Sequence, residues 1–346
     1  MSVLAAKERD RPLLEVKDLG VTFELDEGTV RAVNGVSFKI ADKQIVGLIG
    51  ESGCGKSVTA QAIMRIVPSP GKISSGQILF RTSSGDSRGG SEILDLAQLA
   101  PKGSRIRQIR GGQICMIFQE PMTSFSPVHT VGSQIVEAIR LHRDVGKSEA
   151  KDIAAQMLDH VGIPQARRQL DAYSFQISGG MRQRAMIAMA LCTHPCMVIA
   201  DEPTTALDVT IQAQILDLMK KLRDDFNMAI LIITHDLGVV AETCEFVNVM
   251  YMGKIVESGT VDQIFHNPLH PYTRALLGST PRLTGKVAKE LAIIKGSVPD
   301  PLSKLPGCCF HPRCNEVIGG TCDKGEAPPL IEIEPDHGVA CHLYPA

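Results

Sequence analysis

A glycine-rich stretch, Gly50 to Ser57, constrains this chain more than any other feature. It reads GESGCGKS, follows the apolar run Ile45 to Ile49 and precedes a helical pattern from Val58 to Val67. A strand, a loop with G-x-x-x-x-G-K-S spacing and a helix in this order are typical of a phosphate-binding loop. The alternative is a chance glycine-rich turn with a surface lysine, which does not account for the flanking strand and helix. The stretch therefore predicts binding of a nucleoside triphosphate.

The residue types in this loop each have a chemical reason. Glycines let backbone N–H groups turn toward phosphate oxygens, and the start of the helix adds a partial positive charge. Lys56 can reach the terminal phosphates, and the hydroxyl of Ser57 can ligate Mg²⁺. We expect eight consecutive residues to bind the nucleotide: Gly50, Glu51, Ser52, Gly53, Cys54, Gly55, Lys56 and Ser57.

Length and composition exclude several classes of protein. With 346 residues, 44% of them hydrophobic and 21% charged, the chain has the composition of a globular protein with one large domain and an appendage. The net charge of −2 gives no general reason to expect nucleic-acid binding. No apolar run approaches the ~20 residues of a transmembrane helix, and Met1 to Pro12 lacks the apolar core of a signal peptide. We expect a reducing, cytoplasmic setting, in which structural disulfides are rare.

Strand and helix patterns alternate along most of the chain. Leu14 to Phe23 and Val30 to Ile40 favour an antiparallel pair of strands, and Arg81 to Ser91 favours a surface loop. Helical periodicity from Val131 to about Leu170 predicts an all-helical insertion. Ser178 suits the N-cap of a further helix. Other elements are expected as buried strands at Ile114 to Phe118, Met197 to Ala200 and Ala229 to Thr234, and as a helix from about Thr210 to Asp225.

Polar residues follow three of the predicted buried strands. Gln119 follows the first, Asp201 and Glu202 follow the second, and His235 follows the third. Ligands gather at the carboxyl ends of strands in open α/β sheets, so these residues and the phosphate loop are expected to form one site. A carboxylate near the phosphates is what in-line attack of water on a γ-phosphorus requires. A solvated turn is the alternative for Asp201 and Glu202, and a structural role is the alternative for His235.

The ordered set of motifs resembles the ATP-binding cassette (ABC) proteins. The set comprises the phosphate loop, Gln119, the sequence ISGGM from Ile177 to Met181, Asp201-Glu202, Leu207-Asp208 and His235. The resemblance runs from about Leu14 to Phe265. It implies an α/β ABC-ATPase nucleotide-binding domain with a mostly parallel core sheet, an antiparallel β subdomain and an inserted helical subdomain. It places this domain at residues 1–265 and the helical subdomain at about 121–178.

Roles for the cassette residues are implied by the resemblance. In this family two cassettes close head to tail, so Ser178, Gly179 and Gly180 would serve ATP bound mainly by the partner chain. Asp208 would brace that interface. Met181 departs from the glutamine that is common in the family, which puts in doubt only the contacts of its own side chain.

Catalytic and metal-binding roles are implied in the same way. Glu202 would orient or deprotonate the attacking water, and His235 would contact the γ-phosphate and that water. Gln119 would sense Mg²⁺ and water, and Mg²⁺ would be held by Asp201 with Ser57 and Gln119. Phe23 either stacks on adenine or packs in the core, and both readings stay open.

Residues 266–346 resemble the C-terminal extension of the oligopeptide/dipeptide importer ATPases, and within that group the dipeptide-type subunit. His266 to Thr273, which reads HNPLHPYT, and a cysteine-rich segment after Pro306 carry this resemblance. The segment has no C-x-x-C spacing, which argues against a usual zinc ribbon. The resemblance implies a four-iron, four-sulfur (4Fe–4S) cluster on Cys308, Cys314, Cys322 and Cys341, with Cys309 as the spare thiol. Zinc, and free thiols or adventitious disulfides, are the two alternatives.

The resemblance implies the ATP-hydrolysing subunit that powers import of di- and oligopeptides through an ABC transporter. The expected partners are a second, related ABC ATPase in a heterodimer, two transmembrane permease subunits and an extracytoplasmic substrate-binding protein, with no nucleic acid. The chain would lie peripherally on the cytoplasmic face of the inner membrane. The alternatives are the same role for nickel or another small solute, a soluble ABC ATPase of translation or DNA repair, and a partner that binds ATP without turnover.

Overall fold

The computed structural model describes residues 12–82, 92–119, 125–205, 208–279, 294 and 296–344. The chain divides into two compact units. The first comprises residues 1–13, 40–44 and 80–233, and the second comprises residues 14–39, 45–79 and 234–346. Within the described residues, none of the helices is long and apolar enough to cross a membrane.

Twelve strands are described. They are β1 (Leu14–Leu25), β2 (Gly28–Ile40), β3 (Ile45–Ile49), β4 (Gly71–Thr82), β5 (Glu92–Asp95), β6 (Ile114–Ile117), β7 (Met197–Asp201), β8 (Ala229–Thr234), β9 (Phe246–Tyr251), β10 (Lys254–Thr260), β11 (Ile331–Glu334) and β12 (His337–Val339).

Ten α-helices are described. They are α1 (Lys56–Ile63), α2 (Ser104–Ile109), α3 (Val131–His142), α4 (Lys147–His160), α5 (Ala166–Gln169), α6 (Gly179–Leu191), α7 (Val209–Phe226), α8 (Leu237–Thr243), α9 (Val261–His266) and α10 (Pro271–Gly278).

The first unit combines a parallel sheet with a helical segment. Strands β6, β7 and β8 are neighbours in that order and run parallel, with Ile117 opposite Ala200 and Asp201 opposite Ile233. Every residue of β7 is buried, as expected for a parallel strand that is covered on both faces. Helix α3 packs against α4, and α4 packs against α6. This arrangement confirms the predicted helical segment beyond Val131.

The second unit contains the strand that leads into the phosphate loop. Its strands follow the order β11-β12-β10-β9-β3, and only the β3–β9 pair is parallel among the pairs described there. Strand β1 lies between β2 and β4 in a separate sheet. All five residues of β3 are buried, so the loop after Ile49 starts from a fixed base. The parallel pairing sets Ile49 opposite Val249.

Several element boundaries differ from the sequence prediction. The helix expected from Val58 to Val67 is α1, which begins at Lys56 and ends at Ile63 because Arg65 adopts a positive φ of 56°. The surface loop expected from Arg81 is wrong for its first two residues, since β4 continues to Thr82. The remainder of that predicted loop, residues 83–91, lies outside the described residues. The strand predicted from Ala229 to Thr234 is confirmed without change.

Candidate functional site

The phosphate loop is built on three glycines with positive φ angles. Gly50 has a φ of 150°, Gly53 of 79° and Gly55 of 103°, values that other residues adopt only with strain. A Cβ on Gly50 would lie 2.1 Å from the carbonyl oxygen of Met250, and one on Gly55 would lie 2.2 Å from that of Ala32. The loop therefore requires glycine at both places.

Lys56 is buried and turned inward over this loop. Its Nζ donates to the carbonyl oxygens of Gly50 at 2.8 Å and of Glu51 at 3.0 Å. The glycine cradle, the start of α1 and the inward ammonium group are the features that a polyphosphate needs for binding. The loop residues therefore fit a nucleoside triphosphate, and Ser57, in the first turn of α1, supplies a hydroxyl suited to Mg²⁺.

Cys54 lies within the loop and is almost fully buried, with 4% of its surface exposed. Burial raises the pKa of its thiol, and the nearby Lys56 opposes that rise. A buried thiol with a raised pKa is a poor nucleophile, so Cys54 fills space in the loop.

The carboxylate of Glu202 is held by two neighbours in the first unit. Gln119 donates from Nε2 to Oε2 of Glu202 at 3.0 Å, and Thr205 donates from Oγ1 to the same oxygen at 2.9 Å. The predicted proximity of Gln119 and Glu202 is confirmed. Asp201, which precedes Glu202 and is the last residue of β7, is buried, with 5% of its surface exposed. Both strands that carry these residues end at the same edge of the parallel sheet.

Glu202 itself has a φ of 47°, an uncommon value for a residue other than glycine. Its backbone N–H donates to the carbonyl oxygen of Ile233 at 2.8 Å, which holds the chain in this turn. Backbone strain of this kind persists only where surrounding contacts impose it, and it occurs often at functional sites. The turn sets where the side chain of Glu202 lies after β7.

The signature residues occupy the start of α6. Ser178 is the N-cap, and its Oγ accepts a hydrogen bond from the N–H of Met181 at 3.3 Å, which confirms the predicted cap. A Cβ on Gly179 would meet nothing within 4 Å, whereas one on Gly180 would lie 3.3 Å from Cγ2 of Ile211. Asp208 caps α7 by accepting from the N–H of Ile211 at 3.0 Å. The two capping residues, Ser178 and Asp208, are exposed.

His235 and Phe23 belong to the second unit, as the phosphate loop does. His235 is exposed directly after β8, and Asp236 caps the helix that follows by accepting from the N–H of Gly238 at 2.8 Å. Phe23 is half-buried on β1, and a Cβ on Gly71 would lie 2.5 Å from its Cε1. That contact is compatible with packing in the core and leaves stacking on adenine open. The assembly of all predicted residues into one site stays a prediction.

Comparison with known proteins fixes the family. The model described as ABC transporter matches residues 33–205, and the one described as oligopeptide/dipeptide transporter, C-terminal region, matches residues 256–322. A probable peptide ABC transporter ATP-binding protein of Sinorhizobium fredii is 49% identical over 330 residues, which cover 95% of this chain and 94% of that relative. The chain belongs to the ABC transporter ATP-binding family.

Solved ABC structures share the fold of this ABC protein. One is the ATP-binding cassette MJ0796 in a dimeric, post-hydrolysis state bound to ADP and Pi; it has a TM-score of 0.61 and 23% identity, covering 72% of this chain and 98% of that one. Another is cbiO1 from Clostridium perfringens, part of an ABC transporter complex, with a TM-score of 0.60 and 24% identity, covering 75% and 92%. At these identities the likeness supports the fold alone.

The cysteine-rich segment of this ABC protein contains four thiols that influence one another. Burial, together with smaller contributions from Cys308, Cys314 and Cys322, raises the pKa of Cys341 to about 11. Backbone N–H groups donate to two of the sulfurs, from Glu316 to Cys314 and from Ile318 to Cys322, each at 3.4 Å. Cys308 also donates its backbone N–H to the carbonyl oxygen of Cys322 at 2.9 Å.

The predicted 4Fe–4S cluster does not find support in the arrangement of these thiols. The described part of the chain includes the four proposed ligands and Cys309. It presents no group of three or more His, Cys, Asp or Glu residues that could hold a metal ion. All ten cysteines are free.

Sequence reasoning missed three residues that contact the predicted site residues. Thr205 holds Glu202, while Tyr272 and Arg313 contact Glu51 in the phosphate loop. The HNPLHPYT motif was noticed and includes Tyr272, but its local pattern gives no sign of a partner 221 positions away. No sequence pattern marks Arg313 as a contact of the phosphate loop; it is distinguished only by its position between Cys308 and Cys314.

Proposed function

We propose that this chain is the ATP-hydrolysing subunit that powers import of di- and oligopeptides through an ABC transporter in the cytoplasmic membrane. The observation that carries the proposal is the match of residues 256–322 to the C-terminal region of oligopeptide/dipeptide transporters, on a chain that also carries a phosphate loop and the Glu202 arrangement. The relative from Sinorhizobium fredii, which is named for peptide transport and aligns over nearly the whole chain, supports the same assignment.

The phosphate loop, Gly50 to Ser57, would bind the phosphates of ATP. When bound, Mg²⁺ neutralises charge on the phosphates, and Ser57, Gln119 and Asp201 carry the oxygen atoms suited to hold it. Lys56 would leave its contacts with the carbonyl oxygens of Gly50 and Glu51 to reach the terminal phosphates.

Glu202 would take a proton from the attacking water. The oxygen of water attacks the γ-phosphorus, the bond between that phosphorus and the bridging oxygen breaks, and ADP leaves with inorganic phosphate as the second product. Gln119 and Thr205 fix one carboxylate oxygen of Glu202, and this orients the carboxylate for proton transfer. His235, placed directly after β8, would contact the γ-phosphate and the water.

The catalytic form in this proposal is a dimer of cassettes. The capped start of α6 offers a hydroxyl, backbone N–H groups and a helix N-terminus, which suit the γ-phosphate of ATP bound by a partner. Ser178, Gly179 and Gly180 would make these contacts, and Asp208 would brace the interface. Phe23 would stack on adenine, and packing in the core is its alternative role.

The proposed partners are a second, related ABC ATPase in a heterodimer, two transmembrane permease subunits and an extracytoplasmic substrate-binding protein. The chain would then lie on the cytoplasmic face of the inner membrane, as a peripheral subunit. The helical segment around α3 and α4 would transmit cassette closure to the permeases. The domain division at residue 265, with the C-terminal extension at 266–346, is part of the same proposal.

The finer part of the proposal is a 4Fe–4S cluster bound by Cys308, Cys314, Cys322 and Cys341. The backbone N–H groups that donate to the sulfurs of Cys314 and Cys322 are of a kind that accompanies cluster-ligating sulfur. Zinc and free thiols are its alternatives. A cluster in this extension would be structural.

Uptake in the source cell tests the proposed function. Labelled di- and oligopeptides are supplied to cells that carry the natural chain or Glu202→Gln, and nickel uptake is measured in parallel. We expect peptide uptake to be lost and nickel uptake to be retained. Lost nickel uptake with intact peptide uptake would reassign the cargo, and unchanged uptake of both would contradict a role in import of either.

A further inference from the structure

Arg313 holds the side chain of Glu51 through two parallel hydrogen bonds. Nη1 of Arg313 lies 2.6 Å from Oε2 of Glu51, and Nη2 lies 3.0 Å from Oε1. The Arg313 side chain is 4% exposed and that of Glu51 is 24% exposed, so the pair is largely withdrawn from water. A fork of this kind fixes both the position and the orientation of a carboxylate.

Tyr272 holds the backbone of the same loop residue. Its hydroxyl oxygen accepts a hydrogen bond from the N–H of Glu51 at 2.9 Å. Tyr272 is fully buried in the first turn of α10, where its own N–H donates to Nδ1 of His270 at 3.0 Å. Its ring packs on those of Tyr251 and Phe310, with centroids 4.7 Å and 5.4 Å away.

These contacts join two segments far apart in the sequence. Glu51 is the second residue of the phosphate loop, whereas Tyr272 lies 221 positions and Arg313 lies 262 positions further along. The match to the oligopeptide/dipeptide transporter C-terminal region spans both Tyr272 and Arg313. The C-terminal region therefore bonds directly to the loop that is proposed to bind ATP.

Two physical effects follow for phosphate binding. A loop with glycines at positions 50, 53 and 55 loses much conformational freedom when it is ordered, so contacts that order it beforehand reduce the cost of binding. A carboxylate in the same loop would repel a polyphosphate, and an adjacent guanidinium cancels that repulsion. Arg313 provides both effects through Glu51.

We propose that Arg313 and Tyr272 are positioning residues that hold the phosphate loop in its ATP-binding form, and that Arg313 also neutralises Glu51 beside the phosphates. The inference rests on the proposed binding of ATP. Neither residue touches the nucleotide in this proposal. Both act through Glu51.

The double variant Arg313→Met with Glu51→Gln distinguishes charge neutralisation from a purely structural ion pair, through its affinity for ATP. If Arg313 only stabilises the fold, then Arg313→Met lowers the free energy of unfolding but leaves the Kd of the folded chain unchanged, so Glu51→Gln has no lost affinity to restore. If Arg313 neutralises Glu51, then Glu51→Gln removes the unpaired charge that Arg313→Met leaves behind. Restoration of affinity in the double variant is therefore specific to the proposed role.

Binding of a fluorescent ATP analogue to the full-length chain measures these effects, with Lys56→Ala as the variant that tests ATP binding itself. We expect Arg313→Met to raise the Kd about tenfold, equivalent to about 1.4 kcal/mol. Glu51→Gln with Arg313→Met is expected to return the Kd to within about threefold of the Glu51→Gln value. In steady-state ATPase assays, KM should rise with Arg313→Met while kcat changes little.

Matched variants control for general damage to the C-terminal region. Arg274→Met removes an exposed ion pair with Glu316, and Tyr344→Phe removes a hydroxyl that bonds to the carbonyl oxygen of Leu269; both should bind ATP as the natural chain does. Tyr272→Phe is expected to raise the Kd about threefold, as the loss of one hydrogen bond allows. Equal affinity of Tyr272→Phe and Tyr344→Phe would remove Tyr272 from the proposal.

The outcomes separate this inference from the proposed function. No ATP binding by the natural chain would overturn both, whereas natural binding with unchanged affinity in Arg313→Met would overturn only the positioning role. A double variant no better than Arg313→Met would overturn charge neutralisation. If Arg313→Met does not fold, Arg313→Lys decides: we expect a Kd raised by about threefold, since the charge remains but the fork is lost, and natural affinity would contradict positioning.

Discussion

Glu202 is constrained in both its side chain and its backbone. Its φ of 47° turns the chain sharply after β7, and two donors converge on one carboxylate oxygen. Gln119 comes from the end of the neighbouring parallel strand, so the sheet register determines how the two side chains meet. At the residue scale, this is the arrangement expected of a base that must hold one orientation.

Replacing Glu202 by Gln tests the role of the carboxylate. We expect ATP binding to remain intact and turnover to fall about 10²- to 10⁴-fold, because an amide cannot accept the proton of water. Equilibrium binding of ATP and steady-state ATPase rates give the two readouts. Glu149→Gln, on an exposed face of α4, is the matched control and should behave as the natural chain. Equal turnover in Glu202→Gln would remove Glu202 from catalysis.

Thr205 offers a finer test, because two substitutions separate its hydroxyl from its shape. Thr205→Val keeps the volume but removes the donor to Glu202, whereas Thr205→Ser keeps the donor. We expect kcat to fall about tenfold with Val and to change less than about twofold with Ser, since only Val removes the hydroxyl that donates to the carboxylate. Steady-state kinetics decide the comparison. A similar loss for both would mean that Thr205 acts through packing.

At the scale of elements, a buried carboxylate connects α10 to the strands before and after it. Glu257, in β10, accepts from the backbone N–H groups of Leu269 at 2.7 Å and His270 at 2.9 Å, and lies 2.9 Å from Nε2 of His337 in β12. Glu257 and His337 are both fully buried. One carboxylate thus satisfies donors from the start of α10 and from the adjacent strand.

Removal of this carboxylate is expected to loosen the C-terminal elements. Glu257→Ala leaves three buried donors without an acceptor, at about 1–3 kcal/mol each, so we expect a loss of about 3–5 kcal/mol in the free energy of unfolding. Glu257→Gln keeps an acceptor oxygen and should lose less. Urea unfolding and limited proteolysis measure the effect. Glu332→Ala, an exposed change on β11, should stay within about 0.5 kcal/mol of the natural chain.

The sequence predicted elements well wherever a short-range pattern determines them. The apolar runs gave β3, β7 and β8, and Ser178 gave the start of α6. Strand β10 was missed because its central Glu257 is charged, and only its distant partners make a buried charge tolerable. The end of α1 was misplaced because the positive φ of Arg65 has no sequence signature.

At the scale of the whole molecule, contacts between distant segments were beyond sequence reasoning. The strand-end rule placed Gln119 with Glu202 because it needs only local patterns and a parallel sheet. The bonds from Arg313 and Tyr272 to Glu51 depend on how the C-terminal region folds back onto the loop, which no periodicity or spacing encodes. The cysteines are another example: their spacing can be read from the sequence, but the arrangement of their thiols in space cannot.

The state of the four cysteines can be decided for the intact molecule by metal analysis. If the cluster forms, then chain purified without oxygen should contain about four irons with matching acid-labile sulfide. Cys314→Ser should lose that iron, because it removes one of the four proposed ligands. Cys309→Ser should retain it, because Cys309 is the spare thiol and its Sγ instead lies 3.9 Å from the carbonyl oxygen of Tyr251. Zinc without sulfide would select the zinc alternative. Absence of metal from the natural chain would select the alternative of free thiols or adventitious disulfides.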